Sequence, residues 1–182
     1  KRSGDINHPR LLRPLAPTPL DGKALALDST DDRRIAFATW LTSPQNEMFS
    51  RNIINRVFGN FMGRGLTDPV DDVRATNPAS NEELFQALTK DFVAHQFDVK
   101  HLIRTIMNST AYQLSSDANA TNQDDKKFYS KYIIKRLPAE VLLDTMSQVT
   151  GVPTNFPGYP AGTRALQLPD TMIVSQFLNV FG

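Results

Sequence analysis

Residues 46–62, NEMFSRNIINRVFGNFM, decide the fold class. Phe49, Ile53, Ile54, Val57, Phe58 and Phe61 recur at three- and four-residue spacing, so a helix gathers them on one face. Arg51, Asn52, Asn55, Arg56 and Asn60 are left for the other, polar face. Gly59, Gly63 and Gly65 cluster at the end of the run, where helix termination favours glycine.

Upstream, Ser29, Thr30, Asp31 and Asp32 offer acceptors for the free amides of a first helical turn. Ile35, Phe37, Ala38, Trp40 and Leu41 follow before Pro44 stops the run. Downstream, Ser80 and Glu83 have capping-box spacing and open a helix carrying Leu84, Phe85, Leu88, Phe92 and Val93. Asp98 caps the next, with Val99, Leu102, Ile103, Ile106 and Met107 inward. Leu137-Pro138 starts another, whose expected buried face is Val141, Leu142, Met146 and Val149 and which Gly151 ends. Asp170 is expected to cap a last helix through Met172, Ile173, Phe177 and Leu178. No segment alternates long enough to predict a strand, and no repeat of 20–50 residues is present. The pattern predicts an all-α protein: an irregular bundle of five or six helices with long loops, at 63–79, 115–127 and 151–169. Residues 1–28, punctuated by Pro9, Pro14, Pro17 and Pro19, read as an extended arm or linker, and 29–182 as a single helical domain.

Composition narrows the function classes. Twenty Lys and Arg against nineteen Asp and Glu leave a net charge of +1 in 182 residues, too little excess to hold nucleic acid by bulk charge. The absence of cysteine excludes disulfides, thiolate metal sites, a cysteine nucleophile and covalent c-type haem attachment within this chain. No apolar run approaches the roughly 20 residues that cross a bilayer. The chain opens Lys-Arg-Ser-Gly, with neither Met nor a signal peptide, and is expected to be a segment of a longer polypeptide.

Several ordered motifs are familiar. The run DRRIAFATWLTSPQNEMFSRNIINRVFGNFMGRGLTDPVDD from Asp32, NPASNEELFQALTKDFVAHQFDVKHLIRTIMNSTAYQLS from Asn77, RLPAEVLLDTMSQVTGVP from Arg136 and the closing SQFLNVFG resemble a helical domain of unknown function. That domain occurs in planctomycete-type exported, cytochrome c-associated multidomain proteins. The resemblance spans roughly Asp32 to Gly182 and implies an extracytoplasmic setting, periplasmic or cell-surface. The implied partners are neighbouring domains of the same polypeptide, a cytochrome c domain among them. It also implies a continuation past the final Phe-Gly, so the C-terminal edge is expected to be incomplete. It carries over no catalytic residue and no cofactor.

The most suggestive constellation is Asn55-Arg56, Gly63-Arg64-Gly65 and Asp71-Asp72. Arginine forks suit carboxylate, phosphate or sulfate, flanking glycines admit a close ligand, and the aspartates suit acid–base work or a hard cation. Asn55, Arg56, Arg64, Asp71 and Asp72 are therefore the candidate ligand-binding residues. The competing reading is an internal Arg–Asp network that fastens the 63–79 loop to the helix before it. His95 and His101 are six apart around a helix boundary, a poor match to same-face metal spacing of three or four, and read as surface or capping residues, with His8 in the arm. The five methionines fall mostly on apolar faces and read as core, so no haem ligation and no cofactor is expected. No Gly-x-Ser-x-Gly elbow is present. Asp71, Asp72, Glu82, Glu83 and Glu140 leave a carboxylate pair for glycoside chemistry open. Tyr112, Tyr129, Tyr132, Phe156 and Tyr159 beside loops suit either core cover or sugar stacking. Three functions follow: a non-catalytic interaction module, a polysaccharide or sulfated-glycan domain using the Arg/Asp cluster, and an electron-transfer partner.

Overall fold

The computed structural model describes residues 5–26, 32–170 and 172–182. Among these the architecture is all-α. Six α-helices run in order α1 (Arg33–Leu41), α2 (Glu47–Met62), α3 (Glu82–Ala94), α4 (Val99–Met107), α5 (Ala139–Thr150) and α6 (Gln176–Phe181), with one 3-10 turn at Ala165–Gln167 and no strand. None of these helices is long and apolar enough to cross a membrane. The chain groups into two compact units, the first ending at Ile133 and the second spanning Ile134–Gly182.

In the first unit α2, α3 and α4 pack on one another. Ile54, Phe58 and Met62 of α2, Phe85, Leu88 and Phe92 of α3, and Leu102 and Ile106 of α4 form the buried core with Leu66 and Tyr129. Cap chemistry sets the helix starts. Asn46 Oδ1 accepts the Phe49 amide, and Asp98 accepts those of Lys100 and His101. The bond from the His101 amide holds the Asp98 carboxyl below the usual aspartate range. Asp32 caps α1 by accepting the Arg34 amide, whereas Ser29, Thr30 and Asp31 lie outside the described residues. The expected Ser80 cap shifts by one residue. Ser80 N–H donates to the Leu66 carbonyl at 2.7 Å, and Asn81 Oδ1 accepts the Leu84 amide at 2.9 Å instead. Arg51 ties α2 to α3, donating to both carboxylate oxygens of Glu82 at 2.7 and 3.0 Å while its guanidinium lies 4.0 Å over the Phe85 ring. That bidentate bond holds the Glu82 carboxyl below the usual glutamate range.

Residues 5–26 contain no helix, and α1 buries no residue. Asp5 pairs with Arg33 of α1 at 2.7 Å. Pro17–Leu25 and the Phe37/Trp40 side of α1 enclose a cavity of about 420 Å³.

The second unit is smaller. Leu143 of α5, Phe156 and Ala165 form its core, with Tyr159, Leu168, Ile173, Phe177 and Leu178 packed against them. Asp144 accepts the Ala165 and Leu166 amides at 2.7 and 3.2 Å and so fastens the 3-10 turn to α5. Gly151, at φ +69°, ends α5 as expected. Two expectations fail here. Asp170 closes a local turn onto the Met172 amide, and Ser175 caps α6, so the last helix begins only at Gln176. On α5 the buried positions are Ala139 and Leu143, one helical turn apart, and not the face of Val141, Leu142, Met146 and Val149.

Candidate functional site

The five residues singled out by sequence do not converge on one cavity. Asn55, expected on the polar face of α2, is fully buried. Its Nδ2 donates to the Thr67 and Val70 carbonyls, both at 2.8 Å, and its Oδ1 accepts the Thr67 amide at 3.0 Å. A single amide thus satisfies three backbone groups of the 63–79 loop. Gly65 makes room for it: a Cβ there would stand 2.6 Å from the Thr67 carbonyl oxygen and 2.8 Å from Asn55 Oδ1. Tyr129 closes the loop from the other side, its hydroxyl donating to the Gly65 carbonyl at 2.7 Å, and burial pushes that phenol up from its ordinary value.

The charged residues of the constellation separate into pairs. Arg56 donates to Asn52 Oδ1 at 3.1 Å and reaches Asp71 only loosely, at 3.9 Å, with both side chains exposed. Arg64 pairs with Asp68 at 3.2 Å and donates to the Lys126 carbonyl at 3.1 Å. Asp72 pairs with Arg74 at 2.9 Å and lies beside the Asn77 amide, whose Nδ2 donates to the Asp72 carbonyl at 3.1 Å. Exposed pairs of this kind contribute about 0–1 kcal/mol each. Their geometry belongs to the loop's own fastening, with the buried Asn55 at its centre.

The first unit holds an apolar cavity of about 350 Å³ between α2, α3, α4 and the segment that follows α4. Phe58, Met62, Leu84, Leu88 and Ile106 form its walls, and Ser80, Thr105 and Tyr129 bring polar atoms to them. None of the five sequence-predicted residues lines it. A third cavity, of about 590 Å³, lies in the second unit beside Asp144 and Arg164.

The α3–α4 hairpin assembles a different cluster. Asp91 lies on α3, one turn beyond Leu88, and His95 is the C-cap of the same helix. Gln96 and Phe97, at φ +54° and +62°, then reverse the chain within a short connection. Phe97 locks the reversal with an edge-on contact to Phe92, ring centroids 5.5 Å apart, and its backbone N–H donates to the Phe92 carbonyl at 2.9 Å. The Asp98 cap fixes the start of α4, so His101 falls in its first turn, facing α3. His101 Nε2 lies 2.8 Å from Asp91 Oδ2 and 3.5 Å from Thr105 Oγ1, a residue that also lines the apolar cavity. His95 Nδ1 lies 2.9 Å from the Asp91 carbonyl oxygen and 3.3 Å from Asp91 Oδ1. The two imidazoles stack at 3.7 Å, only 17° from parallel. A carbonyl or carboxylate oxygen can only accept, so these nitrogens carry the hydrogens.

Same-helix spacing does not reveal this cluster, because His95 and His101 lie six apart on either side of a helix boundary. The usable signal was Asp91 and His95, four apart on one helix, followed by a cap that returns His101 across a tight turn.

No significant match joins the chain to a curated protein or to a solved structure. A family model does match, over residues 33–169, from α1 to the segment after the 3-10 turn of the second unit. An all-α chain whose loop-fastening residues and α3–α4 hairpin all lie inside that match belongs to the family described as PSD1, protein of unknown function (DUF1553).

Proposed function

We propose that the chain is a non-catalytic helical interaction module of a larger exported, cytochrome-associated polypeptide, placed outside the cytoplasm. Its partners in this reading are neighbouring domains of the same polypeptide, a cytochrome c domain among them. The observation that carries the module reading is the outer stripe of α5. Leu142, Met146 and Val149 follow one another at helical spacing, yet Met146 and Val149 are 48% and 81% exposed, and Val152 beyond the helix end is 68% exposed. The sequence patterns this stripe as a buried face, and the fold leaves Leu142 half-buried and its Met146 and Val149 end exposed. Apolar area arranged in this way marks a surface that another protein surface covers. The exported and cytochrome-linked setting is supported by the ordered motifs between Asp32 and Gly182 and their resemblance to that class of proteins.

The test is Val149→Lys. Because Val149 lies outside the core, the unfolding midpoint of the chain is expected to stay within the shift of an ordinary surface substitution, about 0.5 kcal/mol. Binding of the chain to the neighbouring segments of its polypeptide, measured in trans, is expected to weaken about tenfold or more, because a charge would be buried unpaired at the contact. Unchanged binding would count against the reading.

A further inference from the structure

We infer that Asp91, His95 and His101 form a binding site for a single borderline divalent transition-metal ion of the zinc, cobalt and nickel class. Each residue offers one ligand atom, and these atoms all lie within 4.8 Å of one another. The closest approaches are tighter: 2.8 Å between His101 Nε2 and Asp91 Oδ2, and 3.3 Å between His95 Nδ1 and Asp91 Oδ1. Ligand atoms around an ion with bonds of 2.0–2.1 Å stand about 2.9–3.4 Å apart in octahedral or tetrahedral geometry. Each histidine nitrogen thus stands at coordination-sphere spacing from an Asp91 oxygen, His101 from Oδ2 and His95 from Oδ1, and a small movement of His95 brings one atom from each residue onto a single ion.

The donor set selects the metal. Two imidazoles and one carboxylate suit zinc, cobalt, nickel or copper, whereas magnesium and calcium require oxygen ligands throughout. Three protein ligands leave further positions for water or an exogenous group. Positioning comes from the hairpin: Asp91 is carried by α3, and the Asp98 cap places His101 in the first turn of α4, so little backbone ordering accompanies binding. The stacked rings, centroids 3.7 Å apart, hold their in-plane lone pairs in two nearly parallel planes, so one ring must turn about its Cβ–Cγ bond for both to reach one ion. That torsion is broad for histidine. His95, at the helix end and with 48% of its side chain exposed, is the ring that turns.

The chain contains only three histidines and no cysteine, which makes the test clean. Zn²⁺ is titrated into the complete chain by calorimetry, and Co²⁺ is followed by its visible ligand-field absorption. One equivalent is expected to bind and to raise the unfolding midpoint with increasing Zn²⁺, since the ion binds the folded state. His95→Ala and His101→Ala are each expected to weaken binding by at least about 100-fold, beyond the loss typical of an outer-shell partner. His8→Ala leaves it unchanged. His95→Gln and His101→Gln, which keep a hydrogen-bond donor, serve if either alanine variant fails to fold, and the same loss is expected. Mg²⁺ is expected to give no heat and no shift. Failure of Zn²⁺ and Co²⁺ to bind, binding that survives in both histidine variants, or equal uptake of Mg²⁺ would overturn the assignment.

Discussion

Asn55→Ala is expected to lower the stability of the first unit by about 3–5 kcal/mol, read as a fall in its denaturation midpoint by far-UV circular dichroism. The substitution removes very little volume, so the cavity contribution is small. Its effect comes from the three partners left behind: the Thr67 amide and the Thr67 and Val70 carbonyls, which the Asn55 amide satisfies at 2.8–3.0 Å in the fully buried interior. Each orphaned buried group costs about 1–3 kcal/mol, and the sum is tempered because the loop can partly open to water. Asn55→Asp is expected to fail as well, since a carboxylate cannot donate to two carbonyls and would be a buried unpaired charge. A loss below about 1 kcal/mol would show that the 63–79 loop does not depend on this amide.

Phe85→Ala is expected to cost the same unit about 4–5 kcal/mol. Phe85 is fully buried among Ile54, Phe58, Phe92 and Leu102, so truncation removes a large apolar side chain and leaves a cavity. It also removes the ring beneath the Arg51 guanidinium, 4.0 Å away, a contact that adds about 0.5–1 kcal/mol. Phe85→Leu keeps most of the volume and is expected to cost less than half as much. Equal losses for the alanine and leucine variants would mean that the aromatic contact with Arg51, and not the filled volume, dominates.

The local chemistry of this fold is legible in the sequence. The face of α2 around Ile54 and Phe58, the Asp98 cap and the Gly151 stop follow from spacing and side-chain type alone. What escapes is whatever depends on distant segments. Asn55 looks like a surface residue because periodicity scores its amide as polar. Its burial is decided by Thr67 and Val70, carbonyl-bearing residues of a loop 12 and 15 positions later. Asn81 displaces Ser80 as a cap because the Ser80 amide is drawn to Leu66, a tertiary contact. The Arg/Asp constellation is legible as a set of residue types, but its division into separate pairs reflects the path of the loop. The His/Asp cluster stays hidden because the turn through Gln96 and Phe97 folds sequence distance into contact.

The α5 stripe is the reverse case. Sequence periodicity assigns Val141, Leu142, Met146 and Val149 to a core, and the fold buries Ala139 and Leu143. Both stripes are apolar, so the helix has two faces to cover and its own unit covers one. The second face is the basis for reading the domain as an interaction module.

The most direct measurement of that claim uses the absence of cysteine in the chain. Val149→Cys introduces a single thiol into the chain at the most exposed position of the stripe, and the alkylation rate of that residue is compared between the chain alone and the longer polypeptide proposed to carry it. Fast labelling in the chain alone and labelling slowed by about tenfold or more in the longer polypeptide is the predicted result, because a covered thiol reacts only when the contact opens. Equal rates in both would show that nothing covers this face and would contradict the interaction-module reading.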